Sequence, residues 1–123
     1  MSNLQVDNIN GQNADAGTIK AWAKFAPNSN GATSGSLNVS SVSDEGTGLF
    51  RVNYTSSFLN SDNAPVGSAG LDSTAPGEIY TIGAAEGNFT GQTATSHLAQ
   101  INDDGVLADT NPCFCHVIGN LAP

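Results

Sequence analysis

Leu37-Asn38-Val39-Ser40-Ser41-Val42-Ser43-Asp44-Glu45-Gly46-Thr47-Gly48-Leu49-Phe50-Arg51-Val52-Asn53-Tyr54-Thr55 is the stretch on which the reading of the fold turns. Residues 37–42 and 49–55 read as two strands, and the Gly-containing segment 44–48 between them has the length of an antiparallel loop. In the second strand, alternation sends Phe50, Val52 and Tyr54 to one face and Arg51, Asn53 and Thr55 to the other. Burying Arg51 without a partner is costly, so the aromatic face is the inward one. Residues 37–58 are therefore predicted to be a hairpin with Phe50, Val52 and Tyr54 in the core.

Upstream, Thr18-Ile19-Lys20-Ala21-Trp22-Ala23-Lys24-Phe25 alternates as a strand. Ile19, Ala21, Ala23 and Phe25 are expected on one face, Lys20, Trp22 and Lys24 on the other. A tryptophan between two lysines, opposite Phe25, is either exposed beside lysine stems or covered by a neighbouring chain. The second reading makes Trp22 the candidate oligomer contact. Residues 26–36 read as a turn-rich loop. Downstream, 64–70, 78–84, 95–101 and 113–118 read as strands, with a turn at 102–105. No segment of ten or more residues carries helical periodicity, and no internal repeat is present. Residues 1–17 read as an arm or attachment segment, and 18–123 as one all-β domain, a small antiparallel β-sandwich or barrel-like fold.

Composition limits what such a domain can do alone. Leu, Ile, Val and Phe make up 26 of 123 residues, little above the level at which disorder becomes the default. Ser, Thr, Asn and Gly supply 51, so solubility rests on neutral polar groups. A chain with so thin a core often gains burial from neighbouring subunits, and oligomerisation is expected on that ground alone. The net charge is −8, with Lys20, Lys24 and Arg51 the only basic residues. Nucleic-acid binding needs clustered cations, so it is not expected, nor is attraction to anionic membranes. No apolar run is long enough to span a bilayer. The opening MSNLQVDNINGQ has neither a basic leader nor an apolar core, and is not read as a signal peptide.

Catalytic and metal chemistry find little footing. Cys113 and Cys115 are two apart on a predicted strand, so both thiols share a face while His116 points away. Zinc ligands prefer a longer spacing, and the other histidine, His97, completes no ligand set. Both cysteines are read as buried structural thiols, and a bridge between them is geometrically poor. The acidic pairs Asp44-Glu45 and Asp103-Asp104 adjoin glycines in predicted turns, where backbone chemistry accounts for them. Nucleophile-elbow and phosphate-loop patterns are missing. No catalytic residue, metal or cofactor is expected, and the chain is read as a non-enzyme.

The two most patterned blocks resemble a module of tail-fibre-like proteins of marine and freshwater phages, cyanophages among them. Those proteins show a K-A-W-V-x-F strand, matched by Lys20-Ala21-Trp22-Ala23-Lys24-Phe25. An N-V-S-S-I/V-x-D-x-G-T-G-x-Y/F-x-V-x-F/Y-T hairpin follows, matched from Asn38 to Thr55. Gly67-Ser68-Ala69, Gly119-Asn120 and the opening Met1-Ser2-Asn3-Leu4-Gln5-Val6-Asp7-Asn8-Ile9 are similar to further parts of the module. Ala23 stands where such proteins carry a β-branched residue, and Pro65 often does too. The specific part covers about 30 residues, and the chain lacks a long fibre shaft. The resemblance implies a homotrimer around a three-fold axis, located on the virion and joined to other virion proteins by the N-terminal arm. A short tail fibre that meets a host-surface glycan or protein is the first expectation. A capsid decoration or other tail protein without receptor binding is the second, and a non-viral adhesin or accessory module the third. Receptor contacts have no sequence signature; the polar segments 28–36 and 60–64 are candidates by exposure alone.

Overall fold

The computed structural model describes residues 8–9, 12–13, 18–70, 78–82, 91–103 and 105–123. Among them the chain forms strands β1 (Asn8–Ile9), β2 (Gln12–Asn13), β3 (Ile19–Ala26), β4 (Ala32–Leu37), β5 (Val39–Gly46) and β6 (Leu49–Tyr54). These are followed by β7 (Ala64–Ala69), β8 (Glu78–Ile82), β9 (Ser96–Asp103), β10 (Val106–Leu107) and β11 (Cys113–Ile118). A single 3₁₀ turn spans Pro27–Ser29, and no described residue is α-helical. Among the described residues, β1 and β2 pair only with each other. The remaining strands make two antiparallel sheets. In one, β10, β9, β6 and β5 lie in that order and β8 also pairs with β9; in the other the order is β4-β3-β11-β7.

The inner faces of the two sheets share one core. Ala21, Ala23 and Phe25 of β3 and Cys113, Cys115 and Val117 of β11 meet Phe50, Val52 and Tyr54 of β6 and Ala99 and Ile101 of β9. Phe25 and Phe50 contact across the interface with ring centroids 5.7 Å apart, and Tyr54 meets Phe58 edge-on at 5.0 Å. Each such aromatic contributes roughly 1.5–3 kcal/mol by leaving water. Ala21 and Ala23 join these larger side chains in the same buried cluster.

The predicted hairpin is β5–β6, with Val42 opposite Val52 and a two-residue connection at Thr47-Gly48. Phe50, Val52 and Tyr54 are buried as expected. Its first strand begins at Val39 and not at Leu37. Asn38 takes a left-handed conformation, φ 54°, and there the chain leaves one sheet for the other. Its side chain fixes the switch, accepting from the Ser56 amide at 2.6 Å and donating to the Ser56 carbonyl at 3.1 Å. Leu37 thus belongs to β4, opposite Trp22.

Residues 32–36, read as loop from sequence, are instead part of β4. This edge strand, Ala-Thr-Ser-Gly-Ser-Leu, has no alternation because most of both its faces are exposed. Ile19 also departs from expectation. The register of β3 against β11 shifts between Val117 and Ile118, and Ile19 is turned out, half exposed, away from Ala21 and Phe25. Arg51 leaves the core as predicted, yet it is largely covered: Nη1 donates to Ser96 Oγ at 3.2 Å, and Nε lies 3.9 Å from Glu45. Pro65 sits on β7, an edge strand, where a missing amide is tolerated. The predicted arm, residues 1–17, lies outside the described residues except for β1 and β2, as do 83–84 of the predicted 78–84 strand and Asp104 of the 102–105 turn.

Candidate functional site

Strand parity on β4-β3-β11-β7 sends one set of side chains into the core and leaves the other on the sheet's outer face. Cross-strand pairing aligns Leu37, Trp22, His116 and Val66 in a row over all four strands. The next row is Gly35, Lys24, Phe114 and Ser68. Trp22, Phe114, Leu37, Val66 and Ile19 are between 41% and 50% exposed. Five large apolar side chains on one open face form a patch rather than the scatter normal to a soluble surface.

Local packing holds this face in shape. A β-carbon at Gly35 would lie 3.2 Å from Trp22 Cη2, close enough that the indole would have to give by a few tenths of an ångström. The absence of one lets the indole settle against β4. Lys24 extends over the Phe114 ring, its ammonium 5.3 Å from the centroid, an attraction of the cation–π kind. Lys20, expected beside Trp22, donates instead to the Gly119 carbonyl at 3.2 Å. Between these groups runs a groove of about 490 Å³, lined by Ile19, Trp22, Lys24, Val66, Phe114 and His116 among others. Its chemistry is apolar, with few hydrogen-bonding groups to fix a small polar ligand.

Beneath the face lies a buried polar bridge. His97 on β9 is fully buried. Its Nδ1 is 2.7 Å from the Tyr54 hydroxyl, and its Nε2 is 2.8 Å from the Tyr80 hydroxyl. Burial, and secondarily the Arg51 guanidinium, lowers the His97 pKa to about 4, so the ring is neutral at ordinary pH. Burial likewise pushes both phenols up, Tyr54 and Tyr80 alike. A neutral ring accepts at one nitrogen and donates at the other, so one phenol gives its proton to His97 and the other receives one. Cys115 lies beside Tyr80 and adds to the rise of its phenol. Tyr80 also packs onto Gly67, where a β-carbon would lie 2.6 Å from the ring, so β8 is tied to β7 across the sheets.

The cysteines lie where the sequence placed them, buried on the inner face of β11 with His116 exposed on the other side. Burial, partly offset by the Gly70 backbone, raises the Cys113 pKa to about 12, and burial raises Cys115 as well. Both are protonated thiols at neutral pH and poor nucleophiles. Among the described residues no three His, Cys, Asp or Glu side chains come together as a metal site. Asp44 serves its turn, its Oδ1 accepting from the Gly46 amide at 3.0 Å.

Of the exposed segments, 60–64 is less free than its composition suggests. Asn63 is buried and donates to the Thr93 and Asn60 carbonyls. Sequence reasoning identified Trp22 but neither Phe114 nor Val66 as its companions. Parity on the 113–118 strand, with the cysteines inward, would have exposed Phe114. Comparison with protein-family models, curated proteins and solved structures finds no match to this chain.

Proposed function

We propose that the chain is a non-catalytic structural subunit of a bacteriophage virion, a short tail fibre that acts as a homotrimer in attachment to the host surface. The observation that carries this reading is the open apolar face centred on Trp22. A chain whose core residues are scarce leaves five large apolar side chains on one sheet, and such a patch supports the reading of an assembly subunit. The resemblance of the β3 and β5–β6 blocks to phage fibre proteins supplies the kind of assembly. The acidic, neutral-polar exterior agrees with a particle that must stay dispersed.

The test is the position of the protein on the phage that encodes it. A labelled copy, viewed on virions by negative-stain microscopy, is expected at the tail, and the purified protein is expected to bind intact host cells saturably. Label on the head would replace the fibre reading with that of a capsid decoration protein. Virions without label would remove both.

A further inference from the structure

We propose that His97, Tyr80 and strand β8 form an acid-sensitive clasp: when the buried imidazole takes a proton, β8 leaves the edge of its sheet while the other strands stay paired. The attachments of β8 make it the strand that can go. It pairs with β9 alone, and among the described residues no ladder joins it to β7, which it faces across the seam between the sheets. Ile79 is half exposed and Thr81 is exposed, so Tyr80 is the side chain by which β8 packs against the core. Its ring lies over Gly67 of β7, and its hydroxyl meets His97 Nε2 at 2.8 Å. One side chain thus holds the seam, and its polar anchor is a titratable ring.

The surroundings of His97 have no place for a second positive charge. From β6, Tyr54 meets Nδ1 at 2.7 Å, and the Arg51 guanidinium repels a charge on the ring. Tyr80 comes from β8, with Cys115 of β11 beside it. Among the described residues no carboxylate bonds to His97; Glu45 lies 3.9 Å from Arg51 Nε instead. An imidazolium donates from both nitrogens, so both phenols become acceptors and each must place its own proton elsewhere. The charge is also buried without a counter-ion, which is costly until water reaches it. Tyr54 is fixed on a strand between β5 and β9, whereas Tyr80 stands on the edge, so water enters where Tyr80 leaves.

The two cysteines report which part opens. Cys115 is opposite Gly67 in the β11–β7 register and beside Tyr80. The Cys113 thiol donates to the Thr110 carbonyl at 3.4 Å, in the loop before β11. Departure of β8 uncovers Cys115 and leaves Cys113 covered. Glu78 and Asp103 are register partners at one end of β8, and their titration is common to the parent and His97→Gln, so it cancels between them.

Amide hydrogen exchange and thiol labelling of the full chain test the clasp. The open form holds the His97 proton with the ordinary value of 6.5 and the closed form with about 4, so opening is favoured as pH falls below 6.5. Between pH 7 and pH 5 the opening equilibrium is expected to rise about 20-fold. Protection of the β8 amides bonded to β9, corrected for intrinsic exchange, is expected to fall by that factor while staying below that of the β6 and β11 amides. Cys115, the one thiol of Cys113→Ala, is expected to gain the same factor in its reaction with dithiodipyridine relative to a free thiol. Cys113, in Cys115→Ala, is expected to stay protected. His97→Gln is expected to abolish both responses; if it does not fold, the contrasts between β8 and β6 amides and between the two thiols decide. One protection shared by β8, β6 and β11 means global unfolding alone and overturns the clasp. Equal β8 protection at pH 7 and pH 5, or a response that survives in His97→Gln, overturns it too. The clasp lies within one chain, so these outcomes leave the attachment reading untouched.

Discussion

His97 concentrates the chemistry of the core at one residue. Tyr80→Phe removes the partner of Nε2 and leaves a buried ring nitrogen unsatisfied. A loss of about 1–3 kcal/mol in stability is expected, read as a shift in urea midpoint at unchanged slope. The pH dependence has a definite sign. Folding lowers the His97 pKa from 6.5 to about 4, so the unfolded chain holds the proton more tightly. The contribution is complete above about pH 6.5 and is lost as pH falls toward 4, on the order of 3 kcal/mol over that window. His97→Gln is expected to flatten this limb of the stability–pH curve relative to the parent; parallel curves would contradict the assignment. Parity on the 95–101 strand would have aligned His97 with Ala99 and Ile101, a step the sequence reading did not take. That two phenols converge on it was not legible, because they stand 43 and 17 residues away on other strands.

At the scale of elements, the most legible strands were those with one buried face. β6 and β11 alternate because the core takes every second residue. β4 was missed because an edge strand of small polar residues has no buried face to impose a period. The start of β5 was missed because the αL turn at Asn38 is a single-residue event inside an unbroken β-type sequence. The β5–β6 turn is more constrained than its length suggests. At Gly48, φ is +68°, and a β-carbon would lie 2.6 Å from the Ile101 carbonyl oxygen and 2.8 Å from the Ala108 nitrogen. Gly105 has φ +85° but open space around it. Gly48→Ala is therefore expected to cost clearly more than Gly105→Ala, for which about 1–2 kcal/mol of left-handed strain is the main term. Equal costs in chemical denaturation would mean that the turn does not pack against β9 as described.

For the whole molecule, the fold class could be read from sequence because pattern and turn chemistry agreed along most of the chain. The apolar face could be read only in part. Trp22 stood out by its place between lysines, but a face is assembled from strands distant in sequence, and the pairings Trp22–His116 and His116–Val66 exist only in the folded sheet. Trp22→Ala is expected to weaken association while leaving the monomer fold intact, because the indole rests on the outer surface and not in the core. Unchanged oligomer mass and thermal stability in this variant would refute that role. The most direct measurement is the mass of the native protein by light scattering at micromolar concentration. A value about three times the 12.5 kDa chain mass is predicted, falling toward one chain mass on dilution together with a red shift of Trp22 emission. A stable single-chain mass at every concentration would contradict the account.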